Sequence, residues 1–277
     1  MELKAERRMS SAMAAGGVIL AVFALIMLLP YVWMLLNSVK PRAEIMKANT
    51  FLPAAWTAAN YKKVFDTAPI AKWMRNSVFV TTSGTFIVLF SSTLIGFVFA
   101  KYRFWGKTAL FWLLLAMMMV PSQTTLIPSF ILINRIGLYD KLAALVVPGM
   151  VSGFGIFLMR QFIEDVPDSL CEAARIDGAR DMYIYARVIL PLIRPAIGAL
   201  AIFTFLGYWN EYLAPLLYLA KPENMTMPLA LSFFSDQHSN DVGAIMAAAT
   251  IVMTPVTVFF LAFQKQFIKG IAITGIK

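Results

Sequence analysis

The sequence predicts an all-α polytopic membrane protein, with six transmembrane helices and a helical loop between the fourth and fifth. Composition is the first reason. Of 277 residues, 60% are apolar and 14% charged, with a mean hydropathy of +0.72. A soluble domain carries about 25% charged and 45–50% apolar residues, and no soluble fold of this size has the interior to hide the excess. The second reason is distribution. Six windows, 14–36, 77–100, 108–133, 142–159, 196–219 and 242–263, meet or approach the roughly 20 apolar residues that a bilayer core about 30 Å thick requires. Together they hold 137 residues, of which one, Glu211, is charged. A soluble enzyme, a nucleic-acid module and a disordered chain are all poor fits.

The first window follows a basic start (Lys4, Arg7, Arg8), as a signal peptide would. Its 23 residues exceed the roughly 7–15 of a signal h-region, so it reads as a retained span. Orientation follows Lys and Arg in the connections. With the N-terminus inside, segments 1–13, 101–107, 160–195 and 264–277 carry 14 basic residues and the outer segments 10. This bias places both termini in the cytoplasm. The first outer loop, 37–76, works against it with seven basic residues. The net charge of +9 then reflects basic loops facing anionic lipid better than a nucleic-acid partner.

Prolines punctuate the later windows: Pro121 and Pro128 in the third, Pro148 in the fourth, Pro215 in the fifth and Pro255 in the sixth. Each removes a backbone donor and is expected to bend its helix, as ordinary membrane-helix punctuation or to open a path between helices. Gly149, Gly153 and Gly155 suit close helix packing first and solute passage second.

The polar stretch between the fourth and fifth windows is the most informative. Pro167 suits a first helical turn, and Asp168 is favourable there against the helix dipole. Ten residues from Asp168 to Asp177 would form a helix about 15 Å long, closed by Gly178 in a left-handed conformation. Ala173 and Ala174 give that helix a low-profile face, flanked by Glu172 and Asp177. Beyond it, Met182, Tyr185, Ile189 and Leu192 recur at helical spacing, so a second element can lie against protein or headgroups.

Glu172-Ala-Ala, three residues, Gly178, nine residues, then Val188-Ile-Leu-Pro191 resembles the EAA loop of ABC-importer permeases, with Val188 where the family prefers Ile. The resemblance covers nearly the whole chain and is nearest to small sugar-type permeases of the maltose-permease kind. Tyr208-Trp-Asn-Glu-Tyr-Leu-Ala-Pro215 is similar to their fifth-helix motif, with Ala214 where a Trp is common. Gln264-Lys-Gln-Phe-Ile-Lys-Gly270 and Thr274-Gly-Ile-Lys277 are similar to their C-terminal tail.

The resemblance implies a permease subunit of an ATP-driven importer in a bacterial or archaeal cytoplasmic (inner) membrane, moving a sugar or sugar-like solute. Segment 160–195 would be a cytoplasmic coupling loop. Its helix would dock in a cleft of a separate ATPase subunit through Glu172, Ala173, Ala174, Asp177 and Gly178. Gly270, Gly275 and Lys277 of the tail would reach the same ATPase. The implied partners are a second, related permease, giving a heterodimer, two ATP-binding subunits, and an extracytoplasmic solute-binding protein facing loop 220–241. No catalytic residue and no cofactor are expected in this chain; ATP and Mg would sit on the ATPase.

Gly106-Lys107-Thr108 looks like the end of a phosphate-binding loop, but the glycine required five residues earlier is Lys101 and no strand precedes it. Glu211 is the one carboxylate within a window, about 22 Å along a helix from Ala196. With Trp209, Asn210 and Tyr212 it makes a structural polar contact or lines a solute path or gate. The alternative function is an ion-coupled secondary transporter with Glu211 carrying a proton. A membrane-embedded hydrolase would need a carboxylate or histidine pair that the windows lack. A lone His238 and single Cys171 make neither a metal site nor a disulfide, and Met117-Met-Met119 reads as flexible packing.

Overall fold

Within a bilayer each backbone N–H and C=O must find its partner inside its own segment, so apolar windows become helices. A computed structural model, describing residues 2–47 and 50–274, is 79% helical, and no strand occurs among the described residues. In chain order the helices are α1 (Glu2–Ser38), α2 (Arg42–Ile45), α3 (Ala59–Thr67), α4 (Ile70–Lys101) and α5 (Lys107–Met118). There follow α6 (Leu126–Arg135), α7 (Ala143–Val146), α8 (Gly153–Glu164), α9 (Asp168–Ile176) and α10 (Asp181–Tyr183). A π-turn, Ile184–Ile189, leads into α11 (Leu190–Leu192), α12 (Arg194–Asn210), α13 (Leu213–Tyr218), α14 (Met227–Gln237) and α15 (Val242–Thr274).

Among the described residues, three helical segments are long and apolar enough to cross a membrane alone: Gly16–Ser38, Ile70–Lys101 and Val242–Gln264. Three bent pairs complete a set of six if each pair is one span. The third window, expected as 108–133, is two pieces, Lys107–Met118 and Ser122–Arg135, bent by 95°. Pro121 has no N–H to continue the ladder and adopts φ −59°, ψ 131°, which ends α5. The fourth is Ala143–Gly149 and Gly153–Glu164, bent by 46°, with Pro148 in the 3₁₀ turn Val147–Gly149 that ends the first piece. Pro255, expected to bend the sixth, sits inside the continuous helix α15.

The fifth window departs most. It was expected as one helix over 196–219, but α12 ends at Asn210 and Glu211 is extended at φ −65°, ψ 126°. Pro215 has no N–H for the Glu211 carbonyl, so a continuous helix would lose that bond. The chain restarts as α13, where the Glu211 side chain accepts from the Ala214 amide at 3.1 Å. Toward its N-terminus, α12 pairs instead with Asp181–Leu192 across an 81° bend.

The backbone falls into two compact units, Met1–Ala68 with Leu231–Met253, and Pro69–Ala230 with Thr254–Lys277. In the first, Asn60 Nδ2 donates to the carbonyls of Ser38 and Lys40, both at 2.9 Å, and Lys63 pairs with Asp241. Asp241 in turn accepts from the Ala244 amide at 3.2 Å, capping the start of α15.

The second unit is organised on α4. Small residues let α8 approach it closely: an added Cβ at Gly155 would lie 2.3 Å from Ser92 Oγ, and one at Gly96 would lie 2.9 Å from Met159 Cβ. Gly149 and Gly153 meet Tyr208 and Met118 in the same way, so the three glycines singled out from the sequence serve close packing. One apolar cluster joins Phe97, Met159, Ile163, Cys171, Ile184, Tyr185, Ile189 and Leu200. A second gathers Val80, Ile133, Ala144 to Val146, Tyr218 and Leu219.

Candidate functional site: a docking helix and a solute cavity

The first candidate site is α9. Pro167, at φ −58°, precedes its first residue, Asp168, where the helix was expected to start, and its last residue is Ile176, one short of the expected Asp177. The helix ends where Gly178, at φ +83°, brings its amide to the Arg175 carbonyl at 3.0 Å and that of Ala179 to Ala174 at 2.9 Å. This is a Schellman closure, and glycine adopts the left-handed turn without a Cβ clash.

One face of α9 is anchored. Cys171 is buried and Ala174 packs beside it against the first cluster. The other face is open: Glu172, Ala173 and Asp177 are exposed, and Ile176 is 87% exposed. The two alanines therefore divide, Ala173 outward and Ala174 inward, and the free surface reads Glu172–Ala173–Ile176. Sequence reasoning missed Ile176; its spacing of four from Glu172 places both on one face. Glu172 has no ion-pair partner among the described residues.

The start of α9 is tied to the last residue of α4, and Arg175 near its end to α10. Lys101 Nζ donates to Asp168 Oδ1 at 2.7 Å and to the Val166 carbonyl. That bond holds the Asp168 carboxyl below its ordinary value, with the Lys101 charge adding to it. Arg175 donates to Asp181 at 3.3 Å, and a bond from Tyr102, then Arg175, keeps Asp181 low as well. Met182, Tyr185, Ile189 and Leu192 of the following element were expected to share one face, lying against protein or headgroups. The π-turn changes the phase, so Ile184, Tyr185 and Ile189 are buried while Met182 and Leu192 are exposed. The hydroxyls of Tyr185 and Thr93 meet at 2.8 Å, locking this element to α4.

The second candidate site is a cavity of about 680 Å³ walled by α4, the 122–129 segment, residues 144–154, α12 and α13. Phe203, Thr204, Gly207, Tyr208 and Glu211 line it from one side at three- and four-residue spacings, one helical face. Of the four residues picked from sequence, Glu211 lines it. Trp209, adjacent in sequence, points elsewhere: it is 2% exposed and stacks on Phe205 at 6.1 Å between ring centroids. Asn210 is exposed and Tyr212 half-buried, and neither lines the cavity. Tyr208 is the residue that sequence reasoning passed over, although it lies three before Glu211. Gly270 falls within α15, whereas Gly275 and Lys277 lie outside the described residues.

Residues 92–273 match the family described as the binding-protein-dependent transport system inner membrane component. The chain belongs to this family of transport permeases. It is 34% identical over 260 residues to the arabinooligosaccharides transport system permease protein AraQ of Bacillus subtilis, covering 92% of each chain. It is 30% identical to the diacetylchitobiose uptake system permease protein NgcG of Streptomyces coelicolor, over 91% of this chain and 85% of that one. Its fold is similar to a chain in the crystal structure of a bacterial ABC transporter involved in import of the acidic polysaccharide alginate. The TM-score is 0.82 at 23% identity, over 92% of this chain and 95% of the other. This likeness is one of fold.

Proposed function

We propose that this permease is the membrane subunit of an ATP-driven importer that carries an oligosaccharide released by an extracytoplasmic binding protein. The observation that carries this reading is α9, a helix anchored by Cys171 and Ala174 that offers Glu172, Ala173 and Ile176 to an absent partner. A flat alanine-centred face carrying Glu172, with exposed Asp177 at its end, fits a basic cleft on an ATPase subunit. The ties of Lys101 to Asp168 and of Tyr185 to Thr93 then link movement of that helix to α4.

In this reading the chain crosses the inner membrane several times, with both termini cytoplasmic, and pairs with a related permease as a heterodimer. Two ATP-binding subunits hold ATP and Mg, and the tail at Gly270, Gly275 and Lys277 meets one of them. The sugar class follows the arabinooligosaccharide and diacetylchitobiose systems of the relatives.

The test is uptake of radiolabelled arabinotriose into proteoliposomes holding the permease pair and the ATPases, with binding protein outside. Uptake is expected only with ATP at the ATPase side. Uptake driven by a proton gradient without ATP, and lost in Glu211→Gln, overturns the proposal in favour of an ion-coupled carrier.

A further inference from the structure

We infer that the cavity between the start of α5 and the end of α8 binds the anionic headgroup of an acidic phospholipid, with Lys107 and Arg160 holding its phosphate. The inference needs only that the chain spans a membrane, and it stands apart from the importer reading.

The place of the cavity in the chain sets its depth. The span of α4 ends at Lys101, α5 begins at Lys107 and the span of α8 ends at Glu164. Rings tie these ends together: Phe99 packs on Phe104 and on Phe111, each at 5.8 Å between centroids, and Phe111 on Phe157 at 6.3 Å. The cavity therefore sits where hydrocarbon gives way to headgroups. Trp105 is 98% exposed and Trp112 66%, as amphipathic rings are at a bilayer interface. Further along α5, Leu113 and Met117 are exposed too, an apolar wall for acyl chains to cover.

The cavity holds about 250 Å³ and is lined by Lys107, Thr108, Phe111, Trp112, Arg160 and Gln161. That is below the roughly 300–1,000 Å³ of pockets for whole small molecules, and it suits a phosphate with its glycerol. Two cations line it and no carboxylate does. Lys107 Nζ donates to the Tyr102 carbonyl at 3.0 Å, which leaves two of the three ammonium N–H groups. The Arg160 guanidinium lies over the Phe111 ring, 3.7 Å from its centroid, which fixes its plane. Its Nε and Nη2 reach Glu164 Oε1 at 2.9 and 2.8 Å, which leaves three of the five guanidinium N–H groups. The Arg160 side chain is still 20% exposed. Glu164 offsets one charge, and Lys107 keeps the group net positive. Thr108 and Gln161 add a hydroxyl and an amide to the lining.

Charge and apolar surface together choose the ligand. Basic residues at the headgroup level are drawn to anionic lipid, whereas a choline would meet Lys107 and Arg160 as like charges. Phe111, a ring on which a choline could stack, is already covered by Arg160. A soluble phosphate would satisfy the cations but leave Trp112, Leu113 and Met117 uncovered, so the source is a lipid.

The experiment uses the full transporter purified in detergent. Native mass spectrometry counts the lipids it retains from an equimolar mixture of dioleoylphosphatidylglycerol and dioleoylphosphatidylcholine. Wild type is expected to retain phosphatidylglycerol at least about fivefold over phosphatidylcholine. Lys107→Gln and Arg160→Gln should each lower phosphatidylglycerol retention about fivefold and leave phosphatidylcholine unchanged. Lys107→Arg should keep it, and so should Arg135→Gln, which removes a charge at the end of α6. Excess glycerol phosphate should displace little of the lipid, because it has no acyl chains.

Equal retention of the two lipids overturns the inference, as does phosphatidylglycerol retention unchanged in Lys107→Gln. Thermal unfolding identifies a variant that does not fold, and Lys107→Gln decides alone if Arg160→Gln is lost that way. Full displacement by glycerol phosphate would mark a site for a soluble anion and also overturn it. Loss of ATPase subunits from Lys107→Gln would mark a protein contact instead, with the same consequence.

Discussion

Lys101, the last residue of α4, donates to the carboxylate of Asp168, the first residue of α9, at 2.7 Å. The Lys101 side chain is nearly buried while that of Asp168 is mostly exposed. A sheltered cation thus reaches out to hold the start of the exposed helix α9. If α9 carries the ATPase stroke, this contact is one of the points where the stroke enters the membrane helices. Lys101→Met is expected to raise the ATP hydrolysed per solute imported at least about fivefold, the low end of site-to-site coupling, with Lys101→Arg close to wild type. The ratio of ATPase to uptake rates in proteoliposomes checks it, and a wild-type ratio in Lys101→Met would show that the contact transmits nothing.

Glu172 is exposed on the same helix as the one acid of the Glu172–Ala173–Ile176 face. Glu172→Lys should uncouple ATP hydrolysis from uptake while the permease still inserts, because a reversed charge would oppose the basic cleft proposed for the ATPase. Ile176→Ser should weaken ATPase binding as well, since it removes an exposed apolar anchor. Co-purification of the ATPase subunits with each variant, beside uptake, separates lost docking from lost insertion.

Gly178 closes α9 at φ +83° with open space where a Cβ would stand. The penalty of substitution is therefore conformational, about 1–2 kcal/mol for a left-handed residue bearing a Cβ. Asn should be tolerated best, Ala less and Val least. Thermal unfolding of the solubilised transporter should rank the variants in that order, and uptake should follow it.

Asp140 stands at φ 59° and accepts the amides of Ala220 and Lys221 and the Asn224 side chain, each at 3.0 Å. Partial burial pushes its carboxyl up, but the Lys221 amide, Asn224 and the Ala220 amide outweigh it and set the value below the ordinary 3.8. A lowered folded value means the carboxylate stabilises the fold fully above the unfolded value and loses that contribution as pH falls through the folded one. Wild type is expected to lose thermal stability below about pH 4, and Asp140→Asn to lack that part of the slope.

How far the sequence carried this reading differs element by element. The spans around α1, α4 and α15 were legible because lipid leaves a long apolar run no alternative to a helix. The interruptions at Met119–Pro121 and Glu211–Tyr212 were not, since a proline allows a bend, a break or, as at Pro255, an intact helix, and neighbours decide among them. Asp168 to Gly178 was legible because cap chemistry is local. The outward turn of Ala173 and inward turn of Ala174 was not, because it depends on which face finds the Cys171 cluster. Trp209 was grouped with Glu211 by its place in the sequence, yet one residue is about 100° of helix, and that rotation gives the cavity to Tyr208 and Glu211 instead.

The α4–α8 contact offers a test of packing within the membrane helices. A Cβ at Gly155 would lie 2.3 Å from Ser92 Oγ and 3.0 Å from Ser92 Cβ, while Ser92 Oγ is itself buried without a partner. Gly155→Ala should therefore destabilise the transporter by about 1–3 kcal/mol through overpacking. Ser92→Ala should be neutral or stabilising, because it deletes an unsatisfied hydroxyl. In the double variant the nearest clash is gone and a 3.0 Å approach remains, so most of the Gly155→Ala penalty should disappear. Thermal unfolding of the four proteins completes the cycle, and additive effects would mean that the two helices separate rather than interlock at this point.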